Sequence, residues 1–152
     1  MENQQRETVI KHDKDSKVYV INSTRNKGVY NGQGFSVLFQ RGVERLISDD
    51  VLKGNDRIVL LAMVKYMTYH NYFKMSVSEL AGRIGKTQQV AARSVKKLIE
   101  CDYLRLIGTE KQVKIYMVDP NFAYKGNDKQ WHKTLDFWEQ LGIAKEIQNE
   151  LD

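Results

Sequence analysis

Ser76–Leu104, reading SVSELAGRIGKTQQVAARSVKKLIECDYL, is the stretch around which the rest of the chain is organised. Ser76 followed three residues later by Glu79 is a capping box, in which hydroxyl and carboxylate each satisfy a backbone N–H at a helix start. Leu80, Ala81 and Ile84 then share one helical face, and Gly85 supplies the left-handed residue that ends the helix and turns the chain. From Thr87, whose hydroxyl can cap, a second helix carries Ala91, Ser94, Val95 and Leu98 on its packing face. Gln88, Gln89, Ala92, Arg93, Lys96 and Lys97 lie on its other faces. A short helix, a glycine turn and a longer helix with a wet, basic face predict a helix-turn-helix.

The residues after this pair of helices sharpen the prediction. Beyond Cys101-Asp102-Tyr103 the apolar run Leu104 to Ile107 is separated by a polar, glycine-containing turn (Gly108 to Gln112) from a second run, Val113 to Val118. Such a pair is a hairpin, and in this position it is the wing of a winged helix-turn-helix. The fold class predicted is therefore α+β: a winged helix-turn-helix domain with an N-terminal β-hairpin region and a C-terminal helix.

The chain has 152 residues, 41% hydrophobic and 28% charged, which suits one domain with extensions. No apolar run approaches the roughly 18 residues of a membrane span, and the polar start MENQQRETVIKHDKDSK lacks the apolar stretch of a secretory signal. A cytoplasmic location, away from membranes, is expected. Cys101 is the single cysteine, so no internal disulfide and no thiolate zinc site can form, and packing is its expected use.

Net charge is +5. Between Arg83 and Lys114 eight basic residues (83, 86, 93, 96, 97, 105, 111, 114) face three acidic ones (100, 102, 110), so this segment carries an excess equal to that of the whole chain. Lysine stripes are usually solvated helix faces. Here they coincide with a reading helix and a wing, which favours phosphate contact by Lys86, Lys96, Lys97, Lys111 and Lys114. Gln88, Gln89 and Arg93, near the start of the second helix, are the residues expected to read base edges, Gln pairing with adenine and Arg with guanine.

Residues 1–16 read as a mobile N-terminal arm and 17–120 as the winged-helix domain with its N-terminal strands. The strand signals are Lys17 to Ile21, Val29-Tyr30 before Asn31-Gly32, and Phe35 to Phe39. Gly28, Gly32 and Gly34 match no nucleotide fingerprint and read as turns. Val43 to Ile47 predicts a short helix. Asn55 is the expected cap of the next, whose apolar residues surround most of its circumference, as in a helix buried on several sides. The cluster Tyr66, Met67, Tyr69, Tyr72, Phe73, Met75 reads as core rather than as base-stacking surface. Asp119-Pro120-Asn121 ends the wing. Residues 121–152 form a C-terminal helical extension whose stripe Trp131, Leu135, Trp138, Leu141 must be covered, by the domain's own first helix or by a dimer partner.

No catalytic chemistry is legible. Tyrosine-based DNA nicking needs clustered metal-binding histidines, and His12, His70 and His132 are far apart in sequence. No glycine-rich phosphate loop with Lys and Ser/Thr is present to drive unwinding. The expectation is a non-enzyme with no catalytic residue, cofactor or metal.

From Val77 to Leu104, through the wing, and on into Val118-Asp119-Pro120-Asn121-Phe122-Ala123-Tyr124-Lys125-Gly126, the chain resembles the RepL-type plasmid replication proteins of Gram-positive bacteria. In that family a winged helix leads into a segment similar to Asn-Pro-x-x-aromatic-Lys-Gly. The resemblance spans roughly residues 35 to 140. It implies a sequence-specific binder of double-stranded DNA that initiates plasmid or phage replication at an origin and recruits host replication proteins. Against the family's reading helix, similar to Ser-Arg-Gln-Thr-Val-Ser-Arg, Thr87, Gln89 and Arg93 match, whereas Gln88, Val90 and Ala92 depart and imply a different base sequence. Asp102 stands where Gly is common, and Asp119 where Asn is. The competing reading is a transcriptional repressor, or a plasmid-maintenance DNA-binding protein, on the same fold. A homodimer presenting two heads to one duplex is expected for either.

Overall fold

Phe39 ends a two-residue strand and starts a helix, and from there the chain alternates short helices with short strands. A computed structural model describes residues 36–152. The strands expected before Ser36, and the N-terminal arm, lie outside the described residues. Within them the fold is α+β, with five α-helices and two small antiparallel sheets. Strand β1 (Val37–Leu38) leads into α1 (Gln40–Ser48) and α2 (Gly54–Tyr66); β2 (Tyr72–Phe73) precedes α3 (Val77–Arg83) and α4 (Gln88–Glu100). The hairpin β3 (Leu104–Glu110) and β4 (Val113–Val118) comes next, then β5 (Ala123–Tyr124) and the long α5 (Trp131–Leu151).

The cap of α3 forms by half: Ser76 Oγ accepts from Glu79 N at 3.1 Å, but the Glu79 carboxylate turns outward to Arg83, at 2.8 Å. At the far end Gly85 takes φ +65 and Lys86 N donates to Ala81 O at 3.0 Å, a Schellman closure. Thr87 Oγ1 accepts from Val90 N at 3.3 Å and opens α4 as expected. The α2 cap is different from the one expected. The helix starts at Gly54, and Asp56, not Asn55, supplies the acceptor, taking the Lys53 N–H at 2.8 Å. Ile58 and Leu61 on the outer side of α2 remain 44% and 45% exposed, so this helix is covered on one flank rather than all round.

The core lies between α2, α3, α4 and one face of the sheet β2-β4-β3. Val59, Leu60 and Met63 of α2 meet Leu80, Val95 and Leu98, with Phe73, Leu104, Tyr116 and Val118 beneath them. Register explains which sheet residues point inward: Leu104 pairs with Val118, and Phe73 with Tyr116, on the core face. The alternate set, Arg105 opposite Met117 and Met117 opposite Tyr72, faces the other way. That outer face is where α5 lies: the Arg105 guanidinium stacks 3.9 Å over the Trp138 ring and also donates to the Trp138 carbonyl oxygen. The C-terminal extension thus packs on the back of the sheet, not on the first helix of the core. Trp138 is buried, whereas Trp131 is half-buried against Phe39 and donates to Pro120 O at 3.2 Å.

The hairpin turn falls at the end of the stretch expected for it. Gly108 is inside β3, at a register shift between Leu106 and Gly108, and the turn residues are Lys111 (φ 48) and Gln112 (φ 65). Two consecutive left-handed residues in a two-residue loop make the turn that matches strand twist. Of the aromatic cluster, Met67 and Phe73 are buried and Tyr66, Tyr72 and Met75 partly so, but Tyr69 is 68% exposed. No helix of the described residues is long and apolar enough to cross a membrane.

Candidate nucleic-acid interface

Helix α4 is held by its inner face. Ala91, Val95 and Leu98 are buried, and Ser94, the polar residue among them, donates to Asp56 Oδ1 at 2.7 Å. Because the other oxygen of Asp56 caps α2, a single buried carboxylate sets α4 against α2. Fixing that face leaves the opposite one outward: Gln89, Arg93 and Lys96 follow one another at helical spacing, and all three are exposed. Gln88 and Thr87 are exposed at the helix start, with Lys86 half-buried before them and Lys97 half-buried at the flank. Ala92, small and exposed, leaves the middle of the face without a protruding side chain.

The basic residues in and around this helix divide into two groups. In the first, every cation already has partners within the chain. Arg45 spans from Asp119 Oδ2 (2.9 Å) to Cys101 O (2.6 Å) and lies 3.9 Å over the Tyr103 ring. Arg57 donates to the carbonyls of Leu46, Asp49 and Leu52, closing the α1–α2 connection. Arg83 is paired with Glu79 and lies 4.9 Å from the Tyr66 ring. Arg105 is paired with Asp102 at 2.8 Å. Arg83 and Arg105 belong to the basic excess of the segment from 83 to 114, but each already faces a carboxylate, Arg83 in an exposed pair and Arg105 in a pair in which the arginine is mostly buried.

The second group is Lys86, Arg93, Lys96, Lys97, Lys111 and Lys114. Among the described residues none of them is paired with a carboxylate. Against these six stand Glu100, at the far end of α4, and Glu110, beside the hairpin tip. Lys111 occupies the tip and Lys114 the exposed side of β4. A groove of about 200 Å³ joins Ser76 and Val77 at the start of α3 to Gln112, Val113, Lys114 and Tyr116. Of the hairpin cations Lys114 lines this groove at the start of α3, Lys111 stands at the tip, and the α4 cations form a face of their own. Lys74, exposed two residues before Ser76, is a further cation at that edge. Sequence reasoning misses it, and only its nearness to a helix start could have pointed to it.

Asp102 takes φ 62 between α4 and β3, the left-handed backbone that Asp tolerates better than most residues. Asp119 is buried, and burial pushes its carboxyl above the usual value even with Asn121 and Arg45 donating to it. Burial, with the hydrogen bond to Asp49, pushes the Tyr103 hydroxyl up to about 12. Both groups belong to the frame behind α4.

No protein-family model matches the chain, and no curated protein and no solved structure matches it either.

Proposed function

We propose that this chain is a winged helix-turn-helix protein that binds double-stranded DNA in a sequence-specific manner and initiates replication of a plasmid or phage from the site it binds. The observation that carries the DNA reading is the division of the cations: Arg45, Arg57, Arg83 and Arg105 already have partners within the chain, whereas Lys86, Arg93, Lys96, Lys97, Lys111 and Lys114, which lie just before α4, on it and on the hairpin, are paired with no carboxylate among the described residues. In this reading α4 enters the major groove, Gln88, Gln89 and Arg93 meet base edges, and the lysines meet phosphates. Thr87 is engaged as the helix cap, so its part is to fix the start of α4 rather than to read a base. Initiation at an origin, recruitment of host replication proteins and a homodimeric form rest on the resemblance to RepL-type proteins.

A second reading, a transcriptional repressor, is favoured by one observation: a cavity between the sheet and α5 of the kind through which a small molecule could act on a DNA-binding head. Selection of duplexes from a random pool, followed by footprinting on the replicon or promoter that carries the selected sequence, tests both. Arg93→Ala should relax preference at one base position, at a cost of about 1 to 3 kcal/mol. An unchanged site profile in that variant would refute the assignment of α4.

A further inference from the structure

Behind the reading face, the sheet and α5 do not close completely. Between His70, Tyr72 and Met117 on the sheet side and Gln130, Lys133, Thr134 and Phe137 at and just before the start of α5 lies a cavity of about 250 Å³, open to solvent. That is room for about eight waters at roughly 30 Å³ each, a little under the range of drug-sized sites. It has room for a single ring and one charged group.

The backbone beside it is unusual. His70 (φ 64) and Asn71 (φ 65) are consecutive residues with side chains in the left-handed region, where glycine is at home. They are kept there by a clamp. Asn71 Nδ2 donates to Val118 O (2.9 Å) and Ala123 O (2.6 Å), Asn71 Oδ1 accepts from Lys125 N (2.9 Å), and His70 N donates to Lys125 O (2.7 Å). The result is to present the His70 imidazole at the cavity wall, with Nδ1 3.4 Å from Thr134 Oγ1 of α5. Left-handed backbone held by a surrounding clamp is a feature of ligand sites, and the imidazole also meets the Tyr72 ring edge-on at 6.4 Å.

We infer that the cavity binds a small aromatic carboxylate. The ring rests on Tyr72, Met117 and Phe137, and the carboxylate lies between the Lys133 ammonium and the imidazole of His70. The chemistry of the lining selects this class. Tyr72 and Met117 of the sheet with Phe137 of α5 suit a flat ring held between the two walls, and a single lysine, unpaired with any carboxylate among the described residues, suits one negative charge rather than two. Because α5 is one wall, an occupant would also tie that helix to the sheet.

The test is a titration of the full chain with benzoate, followed residue by residue by NMR, with benzamide as the uncharged control. Benzoate should shift the resonances of His70, Thr134 and Phe137 saturably, in the millimolar range or tighter, and benzamide should bind at least about tenfold more weakly. Lys133 is exposed, so Lys133→Met should keep the fold and abolish the preference for benzoate over benzamide. Phe137→Ala should weaken both ligands. Absence of saturable shifts at these three residues up to about 10 mM benzoate, equal binding of benzamide, or an intact preference in Lys133→Met would each overturn the inference. None of these readouts involves DNA, so the result is separate from the fate of the replication reading.

Discussion

Asp56→Ala should be among the most damaging single changes outside the apolar core, and its cost can be worked from two hydrogen bonds. Asp56 is 7% exposed; one oxygen accepts the Lys53 N–H at 2.8 Å and the other the Ser94 hydroxyl at 2.7 Å. Losing the cap removes about 1 kcal/mol. Losing a buried hydrogen bond to a charged acceptor, with the Ser94 hydroxyl left unsatisfied beneath α4, removes about 1.5 to 3 kcal/mol more. The sum, about 2.5 to 4 kcal/mol, should lower the melting temperature by roughly 5 to 15 °C for a chain of this size. Urea unfolding of the single variants Asp56→Ala and Ser94→Ala and of the double variant isolates the pair. A coupling of about 1.5 to 3 kcal/mol is expected. Coupling under about 0.5 kcal/mol, or a single-variant loss no greater than that of an exposed side chain, would show that α4 is not set against α2 through this carboxylate.

Trp138→Ala removes a buried aromatic and the stacking partner of Arg105, and should cost about 3 to 5 kcal/mol in thermal unfolding while weakening DNA binding only as far as the chain unfolds. Gly42→Ala should destabilise clearly in the same assay, because the new Cβ would lie 2.6 Å from the Cα of Phe122, a backbone atom that cannot step aside. Tyr103 supplies a pH dependence. A phenol whose folded pKa is raised from about 10 to about 12 holds its proton better in the folded state, so its contribution is full below pH 10 and is lost as pH rises through about 12. Unfolding free energy measured across that window should fall less steeply in Tyr103→Phe than in the parent chain.

The parts of this fold that can be read from the sequence are those set by neighbours in the chain. Ser76, Gly85 and Thr87 act on backbone within five residues of themselves, and all three do in the structure what their spacing implies. The misplacements arise where the local signal has competitors it does not rank: a second side chain one helical turn away, a turn built from unusual residues, or a partner remote in sequence. The spacing of Glu79 implies a completed capping box, but its carboxylate is drawn to Arg83 instead. Glycine is the usual turn residue, yet Lys111 and Gln112 accept the left-handed backbone of the hairpin, and Gly108 serves a register shift. The docking of α5 on the sheet depends on which residues of β2, β3 and β4 stand opposite each other, and strand register is not a local property.

The candidate interface divides along the same line. Exposure of Gln88, Gln89, Arg93 and Lys96 follows from helical period once the packing face of α4 is known. The carboxylates that pair Arg83 and Arg105 stand at local spacing, but the rings of Tyr66 and Trp138 that also engage them come from elsewhere in the chain. The clamp on Asn71 is equally hidden, since its partners are Val118, Ala123 and Lys125.

The central claim is that the uncommitted cations of α4 and the hairpin contact DNA phosphates. The salt dependence of duplex affinity tests it most directly, measured for the parent chain and for the double variant Lys111→Ala, Lys114→Ala on the same selected site. Each phosphate contact contributes about 0.9 to the slope of log affinity against log salt concentration, so the double variant should lose roughly 2 units of slope while keeping its sequence preference. A slope identical in the two proteins would remove the hairpin from the interface, and affinity of the parent chain that is indifferent to salt would contradict the account as a whole.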